Sequence, residues 1–249
     1  EGKIPHLYRT QKFLEELDTR QEPDHDGKPV PAEINEVSFQ NVSFSYSTGE
    51  VIFEDLSFTI GGEDFAAFVG PSGAGKSTMM RLMAGIEPPD LGHVYRTTRV
   101  SWPLGFAGGF NGTMTGIENI RFVSRIYGQD TEKVIAYVTE FAELGPSLRL
   151  PIKTYSSGMK ARLAFGLSMA IDFDVYLIDE ITAVGDEDFK KKSKAVFQDK
   201  LAKSQIIMIS HSAGTIKQYC DCGLLLEGHQ IRYFDAVGDL LTAYKEVNK

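Results

Sequence analysis

The chain is 249 residues long, and 34 acidic against 26 basic residues leave a formal charge of −8 at pH 7. With 42% hydrophobic and 24% charged residues, the composition is that of a globular protein. It excludes disordered, collagenous and coiled-coil architectures, and the acidic balance excludes nucleic-acid binding by bulk electrostatics. No apolar run approaches the roughly 18 residues that span a bilayer, and the first stretch lacks a signal-peptide core.

Residues 1–34 read as a separate linker or extension. Leu7, Phe13, Leu14 and Leu17 fall near helical spacing, and Gln21 to Pro31 is polar, aperiodic and carries three prolines, which is linker composition. Residues 35–249 read as one domain. Val37, Phe39, Val42, Phe44 and Tyr46 alternate with polar residues as in a strand, and Val51–Ile60 repeats that character. After the Gly61-Gly62 turn, Phe65–Val69 is a short apolar strand running into a glycine-rich loop. Val175–Ile178 and Gln205–Ile209 are apolar runs too short for helices, and they read as buried parallel strands. Leu224–Leu226 and Ile231–Phe234 read as a hairpin around Glu227-Gly228.

Helical stripes fill the intervals. Val134, Tyr137, Val138, Phe141 and Leu144 mark one amphipathic face, Met159, Leu163, Leu167 and Ala170 a second, and Phe189, Val196, Phe197 and Leu201 a third. Strands alternating with helices predict an α/β core, with a helical subdomain inserted at about residues 110–170. Cys220 and Cys222 have no partner cluster for a metal and read as reduced, partly buried thiols. The Lys190-Lys191-Lys192 run reads as a solvated helix face.

Gly70-Pro71-Ser72-Gly73-Ala74-Gly75-Lys76-Ser77-Thr78 fits the phosphate-loop pattern without a mismatch. Glycines let backbone N–H groups turn inward around a β-phosphate, Lys76 brings a cation to the β/γ oxygens, and the Ser77 hydroxyl can ligate Mg²⁺. The helix opening here aims its positive end at the phosphates. The pattern predicts nucleoside triphosphate binding. Asp179 and Glu180 end an apolar strand. Asp179 is placed to hold Mg²⁺, and Glu180 to orient or deprotonate an attacking water. His211 ends another apolar strand, within reach of a γ-phosphate.

Tyr46, Gly70–Thr78, Ser156-Ser157-Gly158-Met159, Asp179-Glu180, Asp186 and His211, in this order and spacing, resemble the ATP-binding cassette (ABC) ATPases. The resemblance implies a P-loop NTPase core with an antiparallel β subdomain and an inserted helical subdomain. It also implies ATP and Mg²⁺ as cofactors, and a partner copy docked head to tail. In that reading Tyr46 stacks on adenine, Ser156–Met159 is the signature segment that meets the γ-phosphate bound by the opposite copy, Asp186 lies in the loop joining the two copies, and His211 is the switch histidine.

The Ser101–Phe110 segment, Pro151–Met159 and Val184-Gly185-Asp186 are similar to the ATPase subunits of capsular polysaccharide exporters. Those pair with a membrane-spanning permease at the cytoplasmic face of the inner membrane. The expected coupling surface is the Trp102–Phe110 loop and the helices after Gly116, with exposed aromatics gripping the permease. Some family positions differ: Thr98–Glu118 contains no glutamine, Ser157 and Met159 replace glycine and glutamine, and Ile181 replaces proline. Residues 7–46 resemble instead the linker and first strands of exporters whose membrane and ATPase domains share one chain. A cassette from a fused lipid, peptide or drug exporter therefore stays open, as does a soluble non-transport cassette. The short spacing between Lys76 and Gly158 leaves no room for the coiled coil of repair ATPases.

Overall fold

The structure is a computed structural model that describes residues 36–62, 64–104, 109–179, 187–201 and 203–247. The linker expected at residues 1–34 lies outside the described residues. In chain order the elements are β1 (Val37–Ser45), β2 (Val51–Ile60), β3 (Ala66–Val69), α1 (Lys76–Met83), β4 (Leu91–Arg96), α2 (Gly116–Ile126), α3 (Thr131–Ala142) and α4 (Ser157–Ala170). Then follow β5 (Val175–Asp179), α5 (Glu187–Leu201), β6 (Gln205–Ile209), α6 (Ala213–Tyr219), β7 (Cys222–Glu227), β8 (Gln230–Phe234) and α7 (Val237–Val247).

Two sheets organise these elements. A five-stranded sheet runs β5-β6-β3-β7-β8, with the first four strands parallel and β8 antiparallel to β7. Parallel strands need crossovers, and helices supply them. That covers both faces, which is why β5 and β6 are almost wholly apolar. Alternate side chains separate cleanly. Ala67, Tyr176, Ile178, Ile206, Met208 and Leu225 pack with the helical layer, whereas Phe68, Leu177, Ile207, Ile209, Leu224 and Leu226 pack with α1 and the second sheet.

The second sheet is antiparallel, in the order β2-β1-β4. Phe39 faces Phe58 in the β1–β2 register, with ring centroids 4.5 Å apart, and Phe58 meets Phe68 edge-on at 6.2 Å. These rings join the two sheets. Strand β4 has no counterpart in the sequence reading. It is an edge strand in which Leu91, His93 and Tyr95 are exposed, so it lacks the buried alternation that reveals a strand. Arg96 at its end donates from Nε to Met83 O and from Nη2 to Leu82 O, both at 2.6 Å. A cation thereby bonds two carbonyls of the last turn of α1, at the helix's negative end.

The helical layer comprises α2, α3 and α4, with 3₁₀ turns at Gly145–Arg149 and Ile152–Thr154. Each helix starts on a side-chain cap. Thr115 forms a capping box with Glu118, Asp130 accepts from the N–H groups of Glu132 and Lys133, and Ser156 accepts from Met159 N. The expected stripe on α3 is present, with Val134, Val138 and Phe141 buried. Cys220 and Cys222 are free and buried. No helix among the described residues is long and apolar enough to cross a membrane.

The exposed grip expected at Trp102 is not found. Its Nε1 donates to Ser168 Oγ at 2.8 Å, and its ring meets Tyr127 and Phe173 edge-on, each at 5.3 Å. Two backbone bonds to β5, Ser101 N→Val175 O and Leu104 N→Leu177 O, hold the segment as an extra edge of the central sheet. Pinned there, the indole is drawn inward to bury its ring and satisfy its N–H. Phe106, another aromatic of the expected coupling loop, lies outside the described residues.

Candidate nucleotide-binding site

Strand β3 delivers its last residue, Val69, directly into Gly70–Gly75, and α1 begins at Lys76. Two glycines hold this loop. A Cβ at Gly70 would lie 2.5 Å from Leu226 O, and one at Gly75 would lie 2.5 Å from Ile52 Cγ2 and 2.8 Å from Phe53 Cζ. Gly75 also has φ 87, in the left-handed region that favours glycine. Pro71 and Ala74 are half-buried, Ser72 and Gly73 exposed, and Ala74 N bonds Pro71 O at 3.2 Å.

The helix that follows has no side-chain cap, unlike α2, α3 and α4. Its first N–H groups and its positive end are therefore directed at whatever enters the loop. Lys76 Nζ folds back over the loop and donates to Gly70 O and Pro71 O at 2.7 Å, so the ammonium sits at the mouth of the cradle. An anion is the ligand this arrangement fits.

The sheet register aligns the other candidates. Phe68 on β3 pairs with Ile209 on β6, and Ile209 pairs with Asp179 on β5. Adjacent strands are about 4.8 Å apart. The phosphate loop after β3, His211 after β6 and the Asp179 carboxylate thus emerge side by side at the carboxyl edge of the sheet, where ligands of parallel α/β sheets bind. Asp179 is half-buried and Ser77 exposed. No cluster of three or more His, Cys, Asp or Glu among the described residues is arranged to hold a metal ion. A cation here would need phosphate oxygens beside Ser77 and Asp179 to complete its shell.

His211 is exposed and sits in a tight serine turn, with Ser212 N donating to Ser210 Oγ at 3.1 Å while Ser212 caps α6. Glu180 and Asp186, like Ile181, lie outside the described residues.

Tyr46 follows β1 and reaches α1. Its hydroxyl is 2.8 Å from Thr78 Oγ1 and takes a 3.4 Å bond from Arg81 Nη1, and its ring meets Phe44 edge-on at 5.2 Å. These partners were not legible in the sequence, where Tyr46 and Arg81 lie on different elements; only the buried Thr78 belongs to a motif.

Ser156, Ser157, Gly158 and Met159 occupy the first turn of α4, in the helical layer. No hydrogen bond among the described residues joins them to the phosphate loop. Ser156 and Ser157 are exposed, and a Cβ on Gly158 would meet only Ser156 Oγ, at 3.9 Å. Nothing among the described residues requires glycine there. Just upstream, Tyr155 is buried and its hydroxyl donates to Ser147 O at 2.6 Å, which anchors the approach to this turn.

A family model described as ABC transporter matches residues 53–183, an interval that begins in β2 and takes in the phosphate loop, the first turn of α4 and the acid pair. The chain belongs to the ABC transporter family. The cassette is a P-loop ATPase, and ATP is the nucleotide of its fold. It is 47% identical over 203 residues to the capsule polysaccharide export ATP-binding protein CtrD of Neisseria meningitidis, covering 80% of this chain and 94% of that one. It is 43% identical over 215 residues to the polysialic acid transport ATP-binding protein KpsT of Escherichia coli, covering 84% and 96%.

Among solved structures, the cassette matches a dimeric ATP-binding cassette in a post-hydrolysis state bound to ADP and Pi, with a TM-score of 0.63. That structure is 18% identical, covers 80% of this chain and 98% of its own, and supports the fold alone.

Proposed function

We propose that the chain is the ATP-hydrolysing subunit of an ABC exporter for capsular or related polysaccharide, working as a head-to-tail pair against a membrane-spanning permease at the cytoplasmic face of the inner membrane. One observation carries the cargo class: 47% identity to a capsule polysaccharide export ATP-binding protein along 94% of that protein.

In this reading Tyr46 stacks on adenine while the loop Gly70–Gly75, Lys76 and the uncapped start of α1 bind the phosphates. Ser77 and Asp179 would hold Mg²⁺, which neutralises charge on the β- and γ-oxygens. Glu180 orients the attacking water and His211 reaches the γ-phosphate. The turn Ser156–Met159 faces the nucleotide of the opposite copy, where its small side chains allow close backbone approach. Asp186 lies at the seam between copies. The family resemblance, in which that turn and the phosphate loop of one nucleotide site come from opposite copies, supports the pairing.

The permease contact belongs on α2, where Phe122 and Ile126 are 52% and 61% exposed, an apolar exposure suited to a partner. Co-purification with the permease tests the function. Turnover of ATP by the complex, stimulated by the lipid-linked glycan, is expected. A complex that hydrolyses ATP and ignores glycans while responding to a peptide or drug supports the fused-exporter class of cargo instead.

A further inference from the structure

The lysine run on α5 divides into two kinds of residue. Lys190 and Lys191 pair with Glu187 and Asp188 on their own helix, as a solvated face does. Lys192 turns inward. Its Nζ lies 2.6 Å from Glu143 Oε1, donates to Phe141 O at 3.2 Å and Glu140 O at 3.3 Å, and stands 5.0 Å from the centroid of the Phe141 ring. These carbonyls lie in the last turn of α3, so a cation from α5 caps the negative end of a neighbouring helix.

The cap residue is Glu143, a non-glycine held at φ 55 and ψ 36. Left-handed backbone at such a residue persists where its surroundings over-determine it. The other oxygen of Glu143 is 3.7 Å from Arg162 Nη1 on α4, and the Arg162 guanidinium lies 4.4 Å over the buried Phe189 ring at the start of α5. Three helices therefore meet at one carboxylate. An isolated exposed pair contributes little to stability, whereas this carboxylate is shared between two cations that also cap a helix and stack on aromatic rings.

The location gives the junction its meaning. Helix α5 opens directly after residues 180–186, which follow the acid strand. Arg162 stands between one and two turns after Ser156 on the helix whose first turn is offered to the opposite copy.

We propose that Lys192 is a positioning residue: through Glu143 and Arg162 it fixes α4 against α5, and so holds the turn lent to the partner at the angle that turnover in the closed pair requires. The inference rests on the paired-cassette reading above. It predicts an effect on turnover in the closed pair and none on nucleotide capture by the phosphate loop.

The test is steady-state ATP hydrolysis by the complex with its permease, for wild type, Lys192→Met and Lys192→Arg, normalised to nucleotide-binding sites. Lys192→Met should lower kcat on the order of tenfold with KM within about twofold, because a small misplacement penalises the reacting geometry and spares binding. Lys192→Arg, which can donate to the same oxygens, should restore most of it. Should Lys192→Met fail to fold, Glu143→Gln keeps the shape, removes the shared charge and should give the same split. An unchanged kcat in a folded variant, a KM that rises in step with the loss, or no rescue by arginine overturns the proposal. A wild-type complex that splits no ATP overturns the paired-cassette reading itself, and the inference with it.

Discussion

The Tyr46 hydroxyl lies 2.8 Å from Thr78 Oγ1, tying the ring that follows β1 to the first turn of the helix behind the phosphate loop. Arg81 adds a second bond to the same oxygen and is itself paired with Glu87 at 3.2 Å. The ring is therefore oriented from α1, the helix that opens directly after the phosphate loop. Tyr46→Phe keeps the aromatic face and removes the tether. A lost hydrogen bond of about 1 kcal/mol corresponds to roughly fivefold weaker ATP binding. Titration with a fluorescent ATP analogue reads it; affinity equal to wild type would mean the tether does not orient the ring.

Trp102 gives the sharpest departure from the sequence reading. With its indole bonded to Ser168 and its ring between Tyr127 and Phe173, it joins α4, the end of α2 and the approach to β5. Trp102→Ala should cost about 3 kcal/mol in a urea unfolding measurement, as large aromatic truncations in packed sites do. A surface grip would cost less than about 0.5 kcal/mol.

Acid should loosen the helical layer. The Thr115 N–H and hydroxyl bonds hold the Glu118 carboxyl below its ordinary value, and the N–H of Lys133 does the same for Asp130, with smaller help from the Lys133 charge and the N–H of Glu132. Folded values lower than unfolded ones contribute stability above the unfolded carboxylate range and lose it as pH falls through the folded values. Thermal midpoints should therefore fall between about pH 6 and about pH 3, and Asp130→Asn with Glu118→Gln should flatten that slope. An unaltered slope in the double variant would contradict the assignment.

The two thiols should be inert in the native state. Burial pushes Cys220 up to about 12, with the nearby Cys222 and Asp221 adding to it, and burial also raises Cys222. The thiolate is the reactive form, so a thiol reagent at neutral pH should label neither until the chain is unfolded. Rapid native labelling would show that this edge of the sheet opens.

Strands β5 and β6 were legible because both their faces are buried, which leaves uninterrupted apolar runs ending in Asp179 and His211. That both tips serve the phosphate loop was legible from the strand-end rule, but the β5-β6-β3 order and register that set them side by side were not, since these strands are far apart in the chain and only packing aligns them. The helix α7 went unread although Val237, Leu240 and Leu241 carry its periodicity and are buried. Strand β4 carried no such signal. Trp102 and Lys192 were misread for one reason: local composition, a Pro/Gly loop in one case and a basic run in the other, says nothing about which neighbouring layer waits to receive the side chain. The motif residues of the site were legible because phosphate chemistry constrains residue type at fixed spacing, whereas the hydroxyl partners of Tyr46 are set by tertiary structure.

The central claim is that one copy offers its Ser156–Met159 turn to the nucleotide held by the phosphate loop of another. Cysteines placed at exposed Ser72 and Ser157, in a Glu180→Gln background that stalls hydrolysis, test it by oxidative cross-linking with and without Mg²⁺ and ATP. A doubly bridged dimer that forms only when nucleotide is present is the expected result. A chain that stays monomeric at saturating ATP, alone and beside its permease, would contradict the account.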